Sequence, residues 1–148
     1  MERQTADFSA SRKARETAVG RLLEAIGYPE KAPAGALSFK MNVDDCEIDA
    51  VEAGGRLRLE LRIDCGDDRL PALAEYAAGR MLREEAVLAW DGKGGRALLW
   101  QDAPAASDAR TLRRLFETFS GSCDWWRARA EEPPAEPEPQ LHEVTIRP

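Results

Sequence analysis

Residues 37–64 read LSFKMNVDDCEIDAVEAGGRLRLELRID, and the spacing of apolar residues within them decides the fold class. Leu37, Phe39, Met41 and Val43 alternate with Ser38, Lys40 and Asn42. CEIDAVE (46–52) alternates again, and Leu57, Leu59, Leu61 and Ile63 alternate with Arg58, Glu60 and Arg62. A period of two belongs to a strand with one face buried, because successive side chains leave a pleated backbone on opposite sides. Asp44-Asp45 and Gly54-Gly55 separate the runs, and two-residue breaks of these types make hairpin turns. Three strands joined this tightly predict an antiparallel meander.

Upstream of the meander, Ala18, Val19, Leu22, Leu23 and Ile26 recur at helical spacing, predicting an amphipathic helix over 11–26 that Gly27 and Pro29 stop. Downstream, Pro71 sits where a helix start tolerates it, and the segment 70–84 reads as a helix whose Ala74, Ala77, Ala78 and Gly79 allow close approach of another element. A third helix is expected over 108–130, capped by Ser107 or Asp108, with a stripe of Leu112, Leu115, Phe116, Phe119, Cys123 and Trp126. Between the second and third helices, AVLAWDGKGGRALLWQD (86–102) holds two apolar runs around a glycine-rich turn. The order helix, three strands, helix, two strands, helix predicts an α+β domain: one twisted antiparallel five-stranded sheet carrying three helices. Residues 1–10 are a flexible polar extension, 11–130 the domain, and 131–148, opening EEPPAEPEPQ, an acidic and proline-rich tail that reads as disordered.

The last pair of strands poses the functional question. Ala86, Leu88 and Trp90 share one face and Val87 and Ala89 the other, while Leu99 opposes Leu98 and Trp100. Both faces are therefore apolar. Either helices of the same chain cover both, or one face is a surface for association.

Composition narrows the classes. With 148 residues, 43% of them hydrophobic, the chain can build one core. Its 27 acidic and 21 basic residues give a net charge of −6, which argues against nucleic acid as partner. No stretch resembles a signal peptide or approaches the roughly 20 apolar residues of a membrane span, so a cytoplasmic protein without membrane insertion is expected. Cys46, Cys65 and Cys123 form no CxxC pair, so neither a disulfide framework nor a zinc site is expected.

Catalytic constellations find no support. The sole histidine, His142, lies beyond the proline-rich stretch, where nothing holds it beside a nucleophile or a metal. Asp44-Asp45 and Asp67-Asp68 lack calcium-loop spacing and read as turns; GKGG (92–95) joins strand to strand, where a phosphate loop needs a helix start. The sequence offers no His or basic neighbour from which an activated thiol at Cys65 would be expected. No enzyme activity and no cofactor are expected.

At this point the stretches VGRLLEAIGYP, LSFKMNV, CEIDAVE, RLRLELRID, LAEYAAGRMLREEAVLAWDGKGGRALLWQD and LRRLFETFSGSCDWWRARA together resemble the class I chaperones of bacterial type III secretion, the Tir chaperone family, over roughly Ala14 to Ala130. The resemblance implies a homodimer that binds the amino-terminal segment of a secreted effector in extended form, without ATP, with the secretion-apparatus ATPase as a further partner. It places Leu73, Ala77, Arg80, Met81, Val87, Leu88, Ala89 and Trp90 at the dimer interface. It places effector contacts at Val19, Leu22, Leu23 and Ile26 of the first helix and at the edge strand Leu37, Phe39, Met41 and Val43; Trp125, one step off its helix stripe with Gly121 a turn before it, reads from its own position as a further effector contact or simply as an edge tryptophan. The competing expectation is that most of the first-helix stripe, Leu22, Leu23 and Ile26 included, is core, leaving only its flank available. Other readings are an adaptor or a heterodimeric chaperone subunit of the same fold, a purely structural oligomer, and an enzyme working through carboxylates such as Glu47, Asp49 or Glu60, which alternation on a solvated sheet face explains equally well.

Overall fold

The computed structural model describes residues 16–65, 69–91 and 96–132. The expectations for residues 1–10, Asp67-Asp68, the 92–95 turn, His142 and the tail from 133 onward fall outside these residues. The elements are α1 (Ala18–Ile26), β1 (Ser38–Val43), β2 (Cys46–Ala53), β3 (Arg56–Asp64), α2 (Leu70–Arg80), β4 (Val87–Asp91), β5 (Arg96–Pro104) and α3 (Ala109–Glu131). The expected order of three helices and five strands is present.

The meander forms as the alternation requires. β1 pairs with β2 and β2 with β3, both antiparallel, so that Met41, Ile48 and Leu61 lie in one register row and Phe39, Ala50 and Leu59 in the next. Asp44 and Asp45 have φ of 48° and 63°, and Gly54 and Gly55 have 58° and 74°. Two consecutive left-handed residues follow the right-handed twist of the flanking strands, and Asp tolerates this conformation better than most side chains do. The chain then crosses over through α2 and β4 and returns as β5 beside β3, giving the sheet order β1-β2-β3-β5-β4. β1 and β4 are the two edges.

α1 and α3 cover one face of the sheet, and α2 reaches the same core through Leu73. Leu57, Leu59, Leu61 and Ile63 of β3 and Ala97 and Leu99 of β5 are buried beneath Val19, Leu22 and Leu23 of α1 and Leu112, Leu115, Phe119 and Trp126 of α3. Cross-links of arginine to backbone carbonyls fix the helices. Arg21 donates to the carbonyls of Ala105 and Ser107, Arg113 Nε donates to Ala25 O at 3.0 Å, and Arg69 Nη2 donates to Arg129 O at 2.6 Å.

Helix ends differ from expectation at two places. α1 begins at Ala18, and not near Ser11, because Thr17 is extended (φ −88°, ψ 163°) and its hydroxyl accepts the Gly20 N–H. At the other end Gly27 (φ 68°) stops the helix, its N–H bonding Glu24 O while Tyr28 N–H bonds Leu23 O, the paired bonds of a Schellman stop. α2 ends at Arg80, and not near Glu84: the N–H groups of Arg83 and Glu84 both turn back to Arg80 O, a tightened turn that redirects the chain into β4. α3 matches its expected span, with Asp108 as the cap; its carboxylate accepts the Thr111 N–H at 2.8 Å, while Ser107 Oγ donates to Pro104 O.

Candidate protein-binding surfaces

Three surfaces stay uncovered among the described residues: the edge of β1, the edge of β4 with the end of α2, and the sheet face opposite the helices. At β1, Leu37 is 58% exposed, and Phe39 and Val43 are half-buried against the core. The bond from Glu52 N–H to Leu37 O shows that the odd-numbered residues of β1 point their backbone groups inward to β2. In an antiparallel ladder both backbone groups of a residue face the same side, so those of Ser38, Lys40 and Asn42 face outward. One of these donors is taken: Asn42 N–H donates to Tyr28 Oη at 3.0 Å. The Tyr28 ring also meets Phe39 edge-on, with centroids 5.8 Å apart, so this tyrosine fastens the α1–β1 connection across one end of the edge.

The site residues expected from sequence fall into two groups. Val19, Leu22, Leu23 and Met41 of the client set, and Leu73 of the dimer set, are fully buried within the single chain. They are core and offer no surface to a partner, since each fills the layer between helices and sheet. Ile26 on α1 and Leu37, Phe39 and Val43 along β1 keep accessible surface. Trp125 does not join them. Its ring meets Tyr76 of α2 edge-on (5.6 Å between centroids), with the Arg80 guanidinium 3.6 Å and the Arg129 guanidinium 4.8 Å from the ring centroid. It therefore stands beside the dimer set. A cation over an indole face is favourable, and here it holds α2 on the end of α3.

In the dimer set, Ala77 and Leu88 pack partly against the core, and Arg80 also pairs with Glu84. Met81 is 62% exposed and Leu82 92%, in the turn after α2, and Trp90 of the edge strand β4 is 39% exposed. Leu82, and Tyr76 farther along α2, are additions the sequence did not single out. Their signal was present in LAEYAAGRML, where apolar residues fall on more than one helix face.

On the open sheet face, Val87 pairs with Trp100 and Ala89 with Leu98, all four half-buried, and no described helix lies over them. One apolar face of the last hairpin is thus left without a covering helix among the described residues. Toward β1 the same face turns polar. Arg56 binds Asp102 through two hydrogen bonds, holding the Asp102 carboxyl below its usual range, and the Arg58 guanidinium stacks 4.2 Å from the Trp100 ring centroid. Asp49 and Glu60, the carboxylates considered for catalysis, are cross-strand neighbours on this face, with Lys40 opposite Asp49 and Arg58 Nη1 3.7 Å from Glu60. Among the described residues no three His, Cys, Asp or Glu side chains come together as a metal site, and no helix is long and apolar enough to cross a membrane.

No family model matches the sequence, and no curated protein does. Solved structures do match the fold. A chain of the HopA1–SchA chaperone–effector complex aligns over 75% of this chain and 91% of its own length, at 18% identity and a TM-score of 0.59. A chain of the ExsC–ExsE complex aligns over 85% and 97%, at 16% identity and a TM-score of 0.61. A chain of the heterodimeric ExoU–SpcU complex from the type III secretion system of Pseudomonas aeruginosa aligns over 75% and 95%, at 15% identity and a TM-score of 0.55. The chain has a type III secretion chaperone-like fold. At these identities the likeness lies in the order and packing of elements. The chaperone-like fold thus rests on the patterning that the alternating strands and the helix stripes display.

Proposed function

We propose that this chain is a non-enzymatic chaperone that holds the amino-terminal segment of a secreted effector in extended form in the cytoplasm, without ATP, and works as a homodimer. The observation that supports this reading is the two-edged sheet in a fold shared with a chain of the HopA1–SchA chaperone–effector complex. An edge strand offers main-chain hydrogen bonds to an added strand, and the apolar residues beside it supply the side-chain pockets. At β1 the outward rungs are Ser38 and Lys40, flanked by Leu37, Phe39, Val43 and Ile26. The β4 edge, with Met81, Val87, Ala89 and Trp90, is the surface for the second copy, a self-complementary contact around a two-fold axis.

Co-expression with amino-terminal fragments of secreted effectors, followed by affinity capture, tests the assignment of edges. A soluble complex is expected. Lys40→Pro removes an outward-facing donor without breaking a bond to β2, so it abolishes capture, whereas Met81→Glu on the other edge leaves capture by the remaining protein intact. Capture that is indifferent to Lys40→Pro places the client elsewhere.

A further inference from the structure

β1 turns the backbone groups of Ser38, Lys40 and Asn42 outward, and the three differ in what holds them. No described group bonds the N–H or C=O of Ser38 or of Lys40. The Asn42 N–H is taken, donating to Tyr28 Oη at 3.0 Å. That is the length of an ordinary ladder bond, so the tyrosine oxygen stands where the carbonyl oxygen of an added strand would have to sit.

The oxygen is held in place by more than this bond. Gly27 (φ 68°) ends α1 in the left-handed region, and the Tyr28 N–H that follows is tied to Leu23 O at 2.9 Å. Pro29 disfavours helical backbone at Tyr28 from the other side. The ring lies edge-on to Phe39, with centroids 5.8 Å apart and planes at 82°, and both rings pack against the core. Because one rigid side chain makes both contacts, the hydroxyl cannot leave Asn42 without turning the ring against Phe39.

We propose that Tyr28 is a stop for strand addition at β1, ending the paired segment after the Lys40 rung and so selecting clients whose extended stretch is brief. The proposal rests on β1 being the client edge, as proposed above. Pairing at Ser38 and Lys40 uses both backbone groups of each, whereas a client residue opposite Asn42 meets Tyr28 Oη where it needs the Asn42 N–H. Beyond the Lys40 rung the client chain therefore leaves the sheet. A covered rung also makes the edge a poorer template for pairing between copies of the chain.

Amide exchange resolved residue by residue by NMR tests it, on the full-length protein alone and in complex with a co-expressed effector amino-terminal fragment. Wild type is compared with Tyr28→Phe, which keeps a ring beside Phe39 and removes the oxygen. In the free wild type the Asn42 amide should exchange several-fold more slowly than those of Ser38 and Lys40, and Tyr28→Phe should erase the difference. On capture Ser38 and Lys40 should become protected in both proteins. The fragment bound to Tyr28→Phe should then show one more protected amide than the fragment bound to wild type, opposite a newly protected Asn42. A free wild-type Asn42 amide as fast as its neighbours overturns the stop and leaves the client edge standing. An identical footprint on the two proteins does the same, since the tyrosine is then a cover that the client displaces. No capture by either protein, or capture that leaves Ser38 and Lys40 unprotected, overturns the client edge and the stop with it.

Discussion

Asp45 is an L-residue held at φ 63° in the β1–β2 turn, where the mirror-image backbone favours glycine. Asp45→Gly is expected to stabilise the fold by up to about 1 kcal/mol, and Gly55→Ala, which meets no neighbouring atom but keeps φ 74°, to cost about 1 kcal/mol. Urea midpoints at unchanged slope read both. The cysteines separate by environment. Cys46 and Cys123 are buried, and burial raises the Cys123 pKa, so its thiolate is disfavoured; Cys65 keeps accessible surface. One thiol per chain should therefore react with Ellman's reagent in the native protein and three after unfolding; three fast native thiols would contradict the packing of β2 against α3. Asp102 supplies a pH dependence of known sign. Because its hydrogen bonds from Arg56 lower its folded pKa, the stability it contributes is present above the unfolded carboxylate pKa and is lost as pH falls through the folded value. Asp102→Asn should flatten the acid limb of the stability profile and leave the neutral-to-alkaline region without a new slope.

At the scale of elements, α1 is a short helix whose ends are secured from outside. Thr17 caps it, and the Glu52 carboxylate of β2 accepts the Ala18 N–H at 3.0 Å, placing negative charge at the helix start. Thr17→Ala is expected to cost about 1 kcal/mol by thermal or urea unfolding. Leu22→Ala, which empties a fully buried position between α1 and the sheet, should cost about 2–5 kcal/mol. The strands, their turns and the span of α3 were legible in the sequence because period-two alternation, left-handed turn residues and the Asp108 cap are local signals. The start of α1 was not: Thr17 is followed by Gly20 where a capping box needs Glu or Gln, and Ala14 continues the helical spacing upstream. Glu52 and Gln101 were equally hidden. Each occupies a core-facing register position, and the reasons, the Ala18 N–H for Glu52 and the Thr118 hydroxyl and Glu85 carboxylate for Gln101, lie far away along the chain. The same limit explains Trp125, whose place beside α2 depends on Tyr76 and Arg80 and not on its own helix.

Across the whole molecule, α1 and α3 on one face leave two strand edges and an apolar end of the open face without cover among the described residues. A lone chain with Met81, Leu82 and Trp90 so exposed is expected to associate. Met81→Glu together with Trp90→Glu should turn the assembly into monomers without altering the fold seen by circular dichroism. Pairing of two chains and capture of an extended client at β1, as proposed above, are both read by light scattering coupled to size exclusion. The purified protein should elute at twice the 16.4 kDa of one chain, and co-expressed effector amino-terminal fragments should add the mass of one fragment per dimer. A monomer that carries no fragment would contradict both.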